Sequence, residues 1–367
     1  MRAAVFERPG EGLKIYDDIE IIDPRAGEVR VRVKHCGICH SDLSMVNGVM
    51  PEMGQPIILG HEASGVVDVV GEGVTDLVAG DHVVLTPIAP CGTCYYCVRE
   101  EYSLCINGMS LWTNTLSDGE TGLSRGGETI LRGVGLGAFA EYVIVPQTGA
   151  IKVDKSVPLE TVCVIGCALQ TGVGAVLNTA AVEPGATVVI MGAGGIGIAA
   201  TQGARIAGAA LILVSDPVAA RREAALGFGA THVIDPGAED LHARCLELTA
   251  DIGMDYAFET AGVAKLIEEG LLVTRPGGTI VCVGAPPLDD GIQIANVVLF
   301  AISEKKLCGC ILGSSNSLRD IPRLIELWKD GQLDMEGMIT RRLPLEDINL
   351  GFDDLAHSRG IRTVIDL

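Results

Sequence analysis

The run Thr187–Met191 passes directly into Gly192-Ala193-Gly194-Gly195-Ile196-Gly197, and an alanine-rich stretch, Ile198–Ala207, follows. Thr187–Met191 is short, β-branched and preceded by Pro184-Gly185, the pattern of a buried strand. Strand, glycine turn and helix in that order leave few folds open. The glycines permit a tight turn, let backbone amides approach a pyrophosphate, and seat that anion on a helix N-terminus. A second strand, Ala210–Ser215, ends at Asp216. A carboxylate there can accept hydrogen bonds from ribose hydroxyls. It would repel a 2′-phosphate by ~4 kcal/mol per charge pair at ~4 Å and an effective dielectric of ~20. Arg221 and Arg222 act in the opposite sense, because an arginine can accommodate that phosphate. The balance favours NAD over NADP. Candidate cofactor contacts are Gly192, Gly194, Gly195, Ile196, Gly197, Asp216 and Arg221, with Val283 at a later strand end.

The alternation continues along the chain. Helices are expected near Ala219–Leu226, Leu241–Leu248 and Ala264–Val273, and strands at His232–Ile234, Asp255–Glu259, Thr279–Val283 and Leu307–Ile311. Six strands alternating with helices imply a doubly wound parallel sheet. A second match to the dinucleotide pattern, Gly133–Ala138, runs into a strand (Phe139–Val145) instead of a helix, and is rejected on that ground.

The first half reads differently. Val29, Val31 and Val33 alternate with Arg30, Arg32 and Lys34, the period of a half-exposed strand. Short runs at Gly65–Val70, His82–Leu85 and Glu141–Val145 are punctuated by glycine and proline, so this half is mostly β. Ile321–Trp328 reads as a helix, and residues 360–367 as a terminal strand returning to the first domain.

Two groups of metal-ligand residues lie in this half. Cys91, Cys94, Cys97 and Cys105 fall within fifteen residues, where twelve cysteines in 367 would place about half a cysteine by chance. Such spacing turns four sulfurs onto one ion at ~2.3 Å, and four thiolates leave no open position, so this zinc is expected to be structural. Disulfides and a nucleic-acid-binding zinc ribbon are the rivals, and Glu100-Glu101 argues against the latter. The second group is Cys36-Gly-Ile-Cys39-His40-Ser41-Asp42, with Gly60-His61-Glu62 beyond it. Thiolate, imidazole and a nearby carboxylate suit a zinc that keeps one position for substrate.

Forty-seven acidic against 27 basic residues give a formal charge of −20. That disfavours nucleic acid or an anionic membrane surface as partner. The uncharged run Thr161–Val182 carries Gln170, Thr171 and Asn178 and reads as a buried segment. Residues 1–7 lack the apolar core of a signal peptide. Cysteine usage then points to a reducing, cytoplasmic setting.

Taken together, these motifs resemble the zinc-dependent alcohol dehydrogenases of the medium-chain dehydrogenase/reductase family, over nearly the whole chain. The resemblance implies an α/β architecture: a GroES-like β-barrel catalytic domain, 1–168 and 311–367, with a structural-zinc lobe near 90–106, joined to a Rossmann NAD-binding domain, 169–310. It places the active site in the cleft between them. It implies Cys39, His61 and Cys167 as catalytic-zinc ligands, with Cys36 and Cys163 as non-ligands. Asp42 would orient His61, Glu62 would sit behind the metal, and Ser41 would take the alcohol proton. Thr171 would contact nicotinamide; Arg362 and His40 would contact pyrophosphate. Two zinc ions per chain, NAD, a small alcohol or aldehyde as substrate, and a homodimer or homotetramer built near residues 297–310 follow from the same resemblance.

Some positions depart from the family. Ser44 stands where several members place a proton-passing histidine. Pro87 and Gly133 stand where members place pocket phenylalanines, which implies room for bulky or aromatic alcohols unless Trp112 or Met50 refills it. Met109, Leu111 and Trp112 read as an apolar knot, with a pocket roof as the alternative. Residues 106–117 lack the basic residue of the thiol-adduct-dependent formaldehyde dehydrogenases. A metal-free quinone reductase and a non-catalytic nucleotide-binding relative are weaker alternatives. Cys245, Cys282, Cys308 and Cys310 are expected to be core hydrophobes.

Overall fold

The computed structural model describes residues 1–49, 54–116, 118–294 and 296–367. Packing divides these into two units, Met1–Ala168 with Asn316–Leu367, and Leu169–Ser315.

The second unit holds a six-stranded sheet, all parallel. Its spatial order is His232–Ile234, Leu211–Ser215, Thr187–Met191, Met254–Glu259, Thr274–Cys282, Lys306–Gly309. This is the doubly wound order, with the first strand at the switch point where the order reverses. Val188, Val189 and Ile190 are fully buried, as strands covered on both faces require. Each such side chain contributes roughly 1.5–3 kcal/mol relative to exposure. Helix Gly195–Ile206 follows the first strand and buries Ile198, Ala199, Ala200 and Ala204. Its small side chains permit close approach: a Cβ at Gly203 would meet Val173 Cα at 3.1 Å.

The first unit is built on strands Glu28–Gly37, Glu62–Val70 and His82–Leu85, paired antiparallel. Val29, Val31 and Val33 face inward while Arg32 is exposed, so the alternation read in the sequence is a half-buried strand. The terminal strand Arg362–Asp366 pairs with this same long strand, Ile365 opposite Cys36. Helix Ser317–Lys329 also belongs to this unit. Gly133–Ala138 enters no helix of dinucleotide type; Gly133–Gly135 is a single 3-10 turn.

Several expectations differ from what folds. Residues 311–315 pack with the second unit, because Asn178 donates to the Gly313 carbonyl at 3.1 Å and Thr179 hydrogen-bonds Ser314 at 2.8 Å. Trp112 is 57% exposed and Leu111 is half-buried, so these two do not form a packed knot; the Met109 side chain lies outside the described atoms. Met50 and Ser117 also lie outside the described residues. Gly133 does not open pocket volume: a Cβ there would meet Ile58 O and Leu59 Cα at 2.9 Å, so backbone packing demands the glycine. Among the four cysteines expected in the core, only Cys245 is fully buried. Among the described residues no single helix is long and apolar enough to cross a membrane. Leu159–Gly166 and Ala168–Thr179 would pass by length and composition only as a bent pair.

Candidate metal and dinucleotide sites

Helix His40–Val46 begins immediately after Cys39, whose extended backbone makes it the N-cap. Asp42, at the third helical position, reaches back and accepts the Cys39 N–H at 3.0 Å. Its other oxygen accepts the Gly60 N–H at 2.9 Å and lies 3.3 Å from His61 Nδ1. One fully buried carboxylate therefore ties the loop carrying the thiol to the loop carrying the imidazole. Gly60 has φ +91°, and a Cβ there would meet Phe139 at 2.9 Å, so the His61 turn requires glycine. Cys167 follows the turn Cys163–Gly166 and brings its sulfur to 4.0 Å from that of Cys39.

The donor atoms of Cys39, His61 and Cys167 all lie within 4.8 Å of one another. Tetrahedral zinc with Zn–S of ~2.3 Å needs sulfurs roughly 3.8 Å apart, close to what is found. Cys36 and Cys163 are completely buried and stand outside the group. Ser41 Oγ lies 3.6 Å from Cys39 Sγ and is half-buried.

The charges around these donors favour a cation. A hydrogen bond from Cys167 holds the Cys39 thiol well below its usual range, against burial and with help from His61. The same bond, with burial, pushes the Cys167 thiol up. The pair accepts one negative charge readily, and a second only with a positive ion beside it. For His61, burial opposes the charged form, but Asp42 and Cys39 together raise the ring's pKa.

Behind the ligands, the Glu62 carboxyl is pushed up to about 7 by burial, against the pull of Arg362. One Glu62 oxygen accepts the Ala168 N–H at 2.7 Å; the other is 3.3 Å from Arg362 Nε, without the alignment of a hydrogen bond. Gly37 makes room for that carboxylate, since a Cβ there would fall 2.3 Å from Glu62 Oε2. Arg362 donates to the Ile38 carbonyl at 2.6 Å, so its guanidinium is packed within the ligand cluster. Sequence reasoning did not anticipate this pair, which joins positions 300 residues apart. His40, by contrast, is exposed at the start of its helix.

The four-cysteine group is assembled as its spacing requires. Cys91, Cys94, Cys97 and Cys105 offer sulfurs within 4.8 Å of one another, with Cys91–Cys97 at 4.0 Å and Cys94–Cys105 at 3.9 Å. The Cys94 N–H donates to Cys91 Sγ and the Cys91 N–H to Cys105 Sγ, both at 3.3 Å. Backbone donors aimed at sulfur favour thiolate; they hold the Cys91 thiol down at about 6, chiefly through Thr93 and Cys94, while burial pushes Cys105 up to about 12.

In the second unit, Gly192 has φ +105°, and a Cβ at Gly197 would lie 1.8 Å from Gly192 O. A Cβ at Gly194 would enter open space, which makes the turn a cradle able to receive an anion on the helix that starts at Gly195. Ile196 lies in that helix's first turn, and a Cβ at Gly172 would meet its carbonyl at 2.4 Å. Asp216 accepts the N–H groups of Ala193 at 2.7 Å and Val218 at 2.8 Å. Arg222 donates to the Asp216 carbonyl at 2.7 Å and pairs with Asp235 at 2.9 Å, while Arg221 is buried. Val283 follows strand Thr274–Cys282 and donates to the Glu259 carbonyl, and Thr171 is buried on helix Ala168–Gly174. Glu259 itself was missed in the sequence. Its Oε1 accepts from Ala261, Gly262 and Val263, closing the turn beyond the fourth strand of the sheet. The run Glu-Thr-Ala-Gly after an apolar strand is the signal that marks it.

Residues 25–155 match the alcohol dehydrogenase GroES-like domain, and residues 195–329 match the zinc-binding dehydrogenase domain. The chain belongs to the zinc-dependent alcohol dehydrogenase family of medium-chain dehydrogenases/reductases. Alcohol dehydrogenase B of Mycobacterium tuberculosis is 37% identical, over 95% of this chain and 94% of that protein. An NDMA-dependent alcohol dehydrogenase of Amycolatopsis methanolica is 38% identical, over 99% and 98%. The solved structure of benzyl alcohol dehydrogenase from Acinetobacter calcoaceticus, 31% identical, superposes with a TM-score of 0.93 over 100% of this chain and 99% of that one.

Proposed function

We propose that this protein is a zinc-dependent, NAD-linked alcohol dehydrogenase that oxidises a primary or secondary alcohol of bulky or aromatic character. The observation that carries the reading is the convergence of Cys39, His61 and Cys167 donors within 4.8 Å, tied together by Asp42. Bound at these residues, zinc would supply Lewis-acid stabilisation of an alkoxide and NAD would supply the hydride acceptor, so that alcohol and NAD would balance against carbonyl, NADH and one proton.

The chain's own residues do the rest. Cys39, His61 and Cys167 would hold the zinc, and a three-donor protein set is the one that suits a catalytic ion. Asp42 fixes the His61 ring through Nδ1, so that Nε2 is left for the metal. Ser41 moves the alcohol proton outward through Oγ. Arg362 stands beside Glu62 behind the donor cluster and pulls its carboxyl towards the charged form, against the burial that pushes it up to about 7. Gly192, Gly194, Gly195 and Gly197 admit the pyrophosphate. Arg222 is engaged by Asp235, and Asp216 lies on the ribose side, which together support NAD over NADP. Cys91, Cys94, Cys97 and Cys105 hold a structural zinc.

Pro87 and the likeness to benzyl alcohol dehydrogenase support an aromatic substrate. Helix Val297–Ile302 exposes Val297, Val298 and Ile302 beside the edge strand Lys306–Gly309, which supports a homo-oligomer. Cytoplasmic placement rests on the thiolate ligands, which need a reducing compartment. The test is turnover of aliphatic, benzylic and terpenoid alcohols, read as NADH absorbance with NAD alone and as bleaching of NDMA when NDMA is added or is the sole oxidant. NAD-linked turnover of benzylic alcohols is expected. Turnover only with NDMA present would overturn the NAD-linked part, and none under any condition the whole.

A further inference from the structure

We propose that Thr260 is a positioning residue for the dinucleotide: its hydroxyl fixes the peptide between Gly192 and Ala193 from one side while Asp216 fixes it from the other. The proposal rests on the dinucleotide reading above and adds to it a residue that need touch no ligand itself.

The placement follows from the sheet. Strand Thr187–Met191 lies between Leu211–Ser215 and Met254–Glu259, with Met191 opposite Ser215 on one side and Glu259 on the other. Gly192, Asp216 and Thr260 are therefore each the first residue past a strand, side by side at the switch point. Thr260 Oγ1 lies 3.0 Å from the Gly192 carbonyl oxygen and 2.9 Å from that of Met191, and its one proton is shared between them. The Met191 carbonyl also accepts the Thr260 N–H at 3.0 Å, so it keeps a donor whichever way the hydroxyl turns. At the other end of the same peptide, the Ala193 N–H donates to Asp216 Oδ2 at 2.7 Å. One peptide unit is thus held at its oxygen by a side chain from one flanking strand end and at its nitrogen by a side chain from the other.

Glycine makes this clamp necessary. Gly192 has φ +105° and no Cβ to resist rotation of the peptide that follows it, so the orientation is imposed from outside. In the clamped orientation the Gly192 oxygen lies against Gly197, where a Cβ would come within 1.8 Å of it, and not in the open space beside Gly194. An acceptor oxygen turned into that space would oppose the anion that the helix start at Gly195 attracts. Thr260 also occupies room that the glycines vacate: a Cβ at Gly192 or at Gly197 would lie 3.0 Å from its Oγ1. Glu259 steadies the turn that carries it, accepting the N–H groups of Ala261, Gly262 and Val263. Valine would fill the same volume as Thr260 and leave the Gly192 carbonyl without this donor.

The test is a cycle between Thr260→Val and Asp216→Ala. Dissociation constants are measured for NADH by fluorescence titration, and by competition for ADP-ribose, which carries the pyrophosphate without nicotinamide. Thr260→Val should weaken both ligands about fivefold, the range of one hydrogen bond, while Thr260→Ser stays within about twofold of wild type. Beside Asp216→Ala, the same Thr260→Val change should cost less than about twofold, because the peptide is then already released at its other end. A hydroxyl that served stability alone would lower the melting temperature and leave the constants of the folded protein unchanged. Unchanged constants in Thr260→Val overturn the proposal, as does a loss confined to NADH or an equal loss in both Asp216 backgrounds. Thr260→Ser as weak as Thr260→Ala also overturns it, and that comparison decides should Thr260→Val fail to fold. No NADH binding by the wild type would remove the dinucleotide reading, and this proposal with it.

Discussion

Asp42 Oδ1 lies 3.3 Å from His61 Nδ1, in a site where neither residue is more than 1% exposed. The same carboxylate closes the helix start at Cys39 and the turn at Gly60. The placing of the His61 donor and the local backbone structure therefore depend on one group.

Asp42→Asn keeps the size and part of the acceptor capacity but loses the charge that fixes the His61 ring. Zinc affinity should fall about 10–100-fold, measured by competition with a chromophoric chelator. The four-cysteine zinc should be retained, so one metal of two becomes labile.

Gly194→Ala and Gly197→Ala should part company. The first places a methyl in open space at φ −74°, so the protein should melt within about 2 °C of wild type while NADH binding weakens at least about tenfold. The second forces a Cβ to 1.8 Å from Gly192 O and should destabilise the second unit outright. Thermal melts and NADH titrations of the two variants check this.

Much of this was legible because it is local. Period-two alternation at Val29–Val33, the strand before Gly192 and the spacing of Cys91–Cys105 each report on one element or one ion. What escaped is long-range. Nothing near Glu62 announces Arg362, and nothing near Gly133 announces that Ile58 and Leu59 press on it. The exposure of Trp112 was equally invisible, since an apolar cluster in sequence need not be one in space. Residues 311–315 were misassigned by five positions because a turn's allegiance depends on the side chains it meets, here Asn178 and Thr179.

Glu259 gives a pH dependence. Burial raises its carboxyl above the ordinary 4.5, against the backbone N–H groups of Val263, Ala261 and Gly262, which lower it. The native state then binds the proton more tightly than the unfolded chain, so this group's contribution to stability declines as pH rises above about 4.5. Glu259→Gln removes the ionisation and keeps an acceptor for the Ala261–Val263 turn. Its melting temperature should fall less steeply with pH than that of the wild type over the range upward from 4.5. A parallel pair of curves would contradict the assignment.

Asp216→Ala should shift the ratio of kcat/KM for NAD over NADP towards NADP. It also strips acceptors from Ala193 and Val218, so stability drops by about 1–3 kcal/mol. The cofactor ratio, which a loss of stability alone leaves fixed, is the deciding readout.

The most direct measurement is zinc content by atomic emission, taken beside turnover for wild type, Cys39→Ala and Cys97→Ala. The account predicts two zinc ions per chain in the wild type and one in each variant. Turnover should vanish in Cys39→Ala while NADH binding persists, and Cys97→Ala should lose thermal stability first. Two zinc ions and full turnover in Cys39→Ala would contradict it.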